Sequence, residues 1–131
     1  MTVPKSKRKP TTMQFLHTAR VLESYCVEHW DSTSSTTLRE CVRLSIDIHK
    51  SVSVANSIYP ENQEEAKERK KHLKLGLAYI FSLKHQVSIA YRYQLISTGV
   101  VKELNEHIEH EKALIKGILK KDKERYKGLP L

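Results

Sequence analysis

The side chains best placed to do chemistry in this sequence are lysines, and the chemistry they offer is the neutralisation of phosphate. Lys67, Lys70, Lys71 and Lys74 follow one another at spacings of three, one and three. That spacing gathers them on one face of a helix, with Arg69 at its edge. Farther along, Lys116, Lys120, Lys123 and Lys127 recur three or four apart, joined by Lys112, Lys121 and Arg125. Such rows can follow a nucleic-acid backbone and release its counterions without reading bases. Lys67 and Lys70 also stand within helical reach of Glu64 and Glu68, so a solvated face of paired charge is the competing reading. Tyr126 is the one aromatic interleaved with these lysines, which gives base stacking little support.

Where the charge sits sharpens this reading. The chain has 131 residues and a formal net charge of +8. Residues 1–10 carry four positive charges, on Lys5, Lys7, Arg8 and Lys9, and residues 112–131 carry seven positive and two negative. The remaining 101 residues are therefore nearly neutral. Basic ends on a neutral body suit arms for a polyanion, against the simpler alternative that they only keep the chain soluble.

Other chemistries find less support. Seven histidines invite a metal, and His107 and His110 lie three apart near Glu103, Glu106, Glu109 and Glu111. A di-iron helical bundle needs inward-facing Glu-x-x-His pairs, and no histidine here has a glutamate three residues before it. The expectation for His107 and His110 is a solvated or intersubunit face. Cys26 and Cys41 lack a Cys-x-x-Cys context and read as small buried hydrophobes in a reducing compartment. Gly-x-Ser-x-Gly is absent, and the four glycines build no phosphate-cradling loop. The chain reads as a non-enzyme with neither cofactor nor metal. The N-terminus has no signal-like apolar run, and no apolar stretch reaches the roughly 18 residues that span a bilayer, so a soluble cytoplasmic protein is expected.

The elements that must position the lysines are helices, because apolar residues recur alternately three and four apart. A basic, disordered arm is expected over 1–10. Helix 1 should start at Thr11 or Thr12 as cap and carry Phe15, Ala19, Leu22 and Cys26 on its stripe. The hydroxyl-rich run from Asp31 to Thr36 ends it. Thr37 with Glu40 fits a capping box, and Leu38, Cys41, Ser45, Ile48, Val52, Ala55 and Tyr59 follow as the seam of helix 2, closed by Pro60. Helix 3 runs from about Asn62 to Tyr93 or Leu95 on Ala66, Leu73, Gly76, Ile80, Leu83, Val87 and Ala90. A turn at Ser97-Thr98-Gly99 precedes helix 4, whose seam of Val101, Leu104, Ile108, Ile115 and Ile118 is interrupted by Glu111. The architecture expected is an all-α, antiparallel up-down-up-down four-helix bundle over 11–121, with a basic, frayed tail over 122–131.

The segment His72 to Leu119 also resembles a family of small bacterial four-helix proteins. This family comprises the proteins encoded by intervening sequences of ribosomal RNA and the accessory variability determinant (Avd) proteins of diversity-generating retroelements. The likeness rests on a long third helix with Leu73 or Leu77 near its start and on the connection Leu95-Ile96-Ser97. A last helix with Leu104, Ile108, Leu114 and Ile118 then leads into a lysine-rich end. The resemblance implies a homopentamer of four-helix protomers that binds a reverse transcriptase and its structured template RNA, with cDNA as a further ligand, and so supports mutagenic cDNA synthesis. Within the same family, the ribosomal intervening-sequence branch implies instead an adaptor that binds a protein partner.

Overall fold

The computed structural model describes residues 10–131, with side chains from Gln14 onward. The basic group Lys5, Lys7, Arg8 and Lys9 lies outside the described residues. Four helices follow in order: α1 (Pro10–Trp30), α2 (Thr36–Ser57), α3 (Gln63–Arg92) and α4 (Thr98–Tyr126). Each packs on its neighbours in sequence, and α4 closes back on α1, while the backbones of the diagonal pairs do not approach one another among the described residues. A single core runs down the middle of this ring. It contains the anticipated stripes almost intact: Phe15, Leu22, Cys26, Cys41, Ile48, Val52, Leu73, Leu83, Leu104, Ile108 and Ile115 are all fully buried.

The helix ends differ from the expected ones in instructive ways. Thr11 and Thr12 lie inside α1, which already includes Pro10; proline's fixed φ and missing N–H suit a first turn. The hydroxyl of Ser35, rather than Thr37, caps α2 by accepting from the Leu38 N–H at 3.3 Å. Glu40 is thereby left to bond Arg43 on the next turn, and that bond holds its carboxyl below the usual range. α2 stops at Ser57, so Tyr59 falls outside it. Asn62 caps α3 by accepting from the Glu65 N–H at 2.9 Å.

The α3–α4 turn is also earlier than Ser97-Thr98-Gly99. Leu95 N–H donates to Ala90 O at 2.8 Å and Gln94 N–H to Tyr91 O at 3.0 Å, with Gln94 at φ 60°. This is a Schellman ending, and Gln94 occupies the left-handed position usually given to glycine. Ser97 then caps α4 through the Val100 N–H, and Gly99 is helical.

α4 continues past residue 121 to Tyr126, and the residues beyond are fastened rather than loose. The Gln63 side-chain amide donates to the carbonyls of Tyr126 at 2.8 Å, Lys127 at 3.2 Å and Leu129 at 3.0 Å. The Gln63 backbone N–H donates to Pro130 O at 2.8 Å. One side chain at the start of α3 therefore satisfies carbonyls that a helix end leaves without partners.

Charged residues also enter the core. Arg69, expected at the edge of a surface row, is 2 % exposed. Its Nε donates to Asp122 at 2.6 Å and its Nη1 to the carbonyls of Ala55 and Ile58. The physical reason is its place midway between Ala66 and Leu73 on the apolar stripe, where a helix can only point it inward. Asp122 stands one turn past Ile118 on the α4 stripe. Glu111 does not interrupt that stripe but stays on it, fully buried, with neither carboxylate oxygen hydrogen-bonded. Desolvation raises its pKa to about 8.

These charges make the stability of the bundle testable at two places. The folded state keeps a proton on Glu111 that the unfolded chain loses near its ordinary value of 4.5. Its contribution is therefore intact below that value and is lost as the pH rises through about 8, a difference on the order of 3 kcal/mol at neutral pH. Thermal melts of Glu111→Gln should accordingly show a flatter decline in stability than the parent between about pH 5 and 8; parallel curves would contradict the burial. Arg69→Ala strands Asp122 in the core and should cost about 3–5 kcal/mol in urea titrations, whereas the double change Arg69→Met with Asp122→Leu should recover most of that loss.

Candidate nucleic-acid interface

Three polar contacts set the register of α3 against α4. Gln63 meets Tyr126, Arg69 meets Asp122, and Lys84 meets Glu109 at 2.6 Å. This register brings Lys67, Lys70 and Lys74 across from Lys120, Lys123 and Lys127 along a groove of about 650 Å³. The lysines are exposed and form its rim, while half-buried Ala66, Leu119 and Tyr126 form its floor beside the buried Asp122. The two rows read separately from the sequence thus become one concave cationic surface.

Among the described residues, one of the six rim lysines pairs with a neighbouring acid. Glu68, in reach of the α3 row, bonds His72 at 3.1 Å instead. Among the described residues, Lys67, Lys70, Lys74, Lys120 and Lys123 make no ion pair, and Lys127 reaches Glu124 at 3.2 Å with both side chains exposed. Exposed pairs of this kind are weak and screened by salt.

The remaining candidates spread around the groove. Lys71, Lys116 and Lys121 are exposed but outside its lining. Lys112 is half-buried, with its ammonium 3.8 Å from Glu109. Glu109 is held below the usual carboxylate range chiefly by its hydrogen bond from Lys84. The guanidinium of Arg125 lies over the Tyr126 ring, 5.8 Å from its centroid. Arg69 takes no part in the surface, being committed to the core.

The histidines and cysteines are placed differently. His107 is half-buried and tilted against the Tyr25 ring at 5.4 Å, and Tyr25 donates to Glu103 at 3.3 Å. His110 is exposed. Among the described residues, no group of three or more His, Cys, Asp or Glu side chains converges to hold a metal ion. Burial pushes the thiols of Cys26 and Cys41 up to about 12, so neither is an activated nucleophile. No helix among the described residues is long and apolar enough to cross a membrane.

Sequence reasoning missed Gln63 and undervalued Tyr126. A signal existed for Arg69 and Asp122, since both complete the three-four spacing of their stripes. Gln63 left none, because the carbonyls it serves are more than 60 residues away in the chain. Comparison with known protein families, characterised proteins and solved structures gives no match for this chain.

Removing the Gln63 amide should free the end of the chain while leaving the helices formed. In Gln63→Ala, the Leu129 amide should exchange several-fold faster, consistent with losing about 1–2 kcal/mol of local hydrogen bonding. Unchanged exchange there would show that the tail is held by something else.

Proposed function

We propose that this chain is a non-catalytic RNA-binding accessory protein of a reverse transcriptase, of the Avd-like kind, which engages template RNA and polymerase to support mutagenic cDNA synthesis. The observation that carries the nucleic-acid part is the convergence of six lysines on one groove with no buried acid left over to neutralise them. Asp122, the acid at the floor, is already committed to Arg69. Six ammonium groups around a concave surface raise the local concentration of a polyanion and gain entropy from the counterions it releases.

The resemblance of His72–Leu119 supports the polymerase partner, the cytoplasmic setting and a homopentamer of antiparallel, up-down-up-down bundles. The topology is further supported by pairs that run in opposite directions along neighbouring helices: Gln63 with Tyr126, Arg69 with Asp122 and Lys84 with Glu109 between α3 and α4, and Tyr25, late in α1, with Glu103, early in α4. A family relative acting as a protein-binding adaptor is the second reading. Phe81, 78 % exposed on α3 beside a shallow hollow with Tyr79 and Arg43, favours a protein contact on that side.

RNA binding tests the leading reading. Lys70→Glu, Lys120→Glu and Lys123→Glu together should weaken binding at least about tenfold across unrelated sequences. The slope of log affinity against log salt should also shrink by about one for each phosphate that is no longer neutralised. Lys50→Glu, exposed on α2 and outside the groove lining, should change binding far less. Equal losses from the two would remove the groove as the binding surface.

A further inference from the structure

We propose that the groove between α3 and α4 binds unpaired nucleotides, with a base laid against the Tyr126 and Leu119 floor and the flanking phosphates held on the lysine rim. The inference rests on the nucleic-acid reading above and adds the class of nucleic acid that the site selects.

The groove combines two chemistries. Its rim is cationic and its floor is apolar, built by Ala66, Leu119 and the Tyr126 ring. A duplex exposes phosphates, sugars and base edges but keeps the flat faces of its bases stacked inside. It is also much wider than the about 10 Å that separates packed helices, so it can touch the rim but not the floor. An unpaired nucleotide is amphipathic in the same sense as the groove: a flat apolar face on one side and an anion on the other. Lys67 to Lys74 spans about 10 Å along α3, the length of a short run of nucleotides.

Electrostatics orients the ligand in the same sense. Asp122 lies at the floor, 9 % exposed, with its Oδ1 lacking a hydrogen-bond partner. A phosphate gains nothing at the floor, where the Arg69–Asp122 pair carries no net charge, whereas the rim offers six ammonium groups, one of them paired with Glu124. A neutral base is therefore the part that descends. Arg125, outside the groove lining with its guanidinium 5.8 Å from the Tyr126 ring centroid, adds a cation close to that aromatic surface. The α4 helix end that carries Tyr126 is held by Gln63, so the backbone beneath the ring does not have to be ordered when the ligand arrives.

Fluorescence anisotropy with two probes tests this: an unstructured labelled RNA of about 12 nucleotides, within the range that single-strand binders cover, and the duplex of the same sequence. The expected result is a single-strand preference of about tenfold, lost in Tyr126→Ala, kept in Tyr126→Phe, with duplex affinity unchanged by either. Circular dichroism confirms that the variants remain helical. A single strand with abasic nucleotides at its centre gives a second readout on the unaltered protein, and it should bind more weakly than the intact strand. Equal or tighter duplex binding, an abasic strand as good as the intact one, or equal losses on both probes in Tyr126→Ala would overturn the base-stacking site and leave RNA binding standing. Failure of both probes to bind at low salt would overturn the nucleic-acid reading and this inference with it.

Discussion

The guanidinium of Arg69 joins three helices at the end of the bundle where the lysines gather. Through Nε it holds Asp122 of α4, and through Nη1 it serves the carbonyls of Ala55 and Ile58, where α2 ends. A cation at a helix C-terminus meets the negative end of the dipole and takes up carbonyls that the helix itself cannot satisfy. Buried so deeply, the pair adds little net stability over an apolar core, but it tolerates almost no alternative arrangement, because each displaced partner becomes an unpaired charge or carbonyl. The register of α3 on α4, and with it the meeting of the two lysine rows, depends on that intolerance.

Charge is also sorted along α4. Glu103, Glu106 and Glu109 occupy its first half, and seven cations follow from Lys112 to Lys127. Lys123 and Arg125 in the last turn favour the negative end of the helix dipole, so the same side chains that stabilise that end of α4 concentrate positive potential there. Gln63 completes this end by holding the last turn of α4 and the residues after it. The groove is therefore a product of structural contacts, two of them polar and buried or half-buried, on which an electrostatic surface has been laid.

Much of the scaffold was legible as periodicity. The stripes of all four helices predicted the core residues, since a three-four repeat of apolar side chains has only one way to hide from water. Helix ends were less legible. A run of hydroxyl residues such as Ser32 to Thr37 offers several equivalent caps, and which one wins depends on where the following stripe must face. The break at Gln94 carried no glycine to mark it. Arg69, Asp122 and Glu111 were readable only by trusting spacing over residue type: each sits at a stripe position, yet a charged side chain argues for the surface until a partner is known.

By itself the sequence determined the helices, their apolar faces and the two cationic rows, because these are properties of neighbours within a few turns. Only the tertiary structure decided that the rows share one groove, that Tyr126 forms part of its floor, and that Arg69 belongs to the core. Those facts turn on pairs such as Gln63 with Tyr126 and Arg69 with Asp122, separated by more than 50 residues. No local pattern specifies such a pairing; it emerges when packing the stripes leaves a register in which the ends of α2 and α4 meet Arg69 and Gln63 and the inward guanidinium meets Asp122.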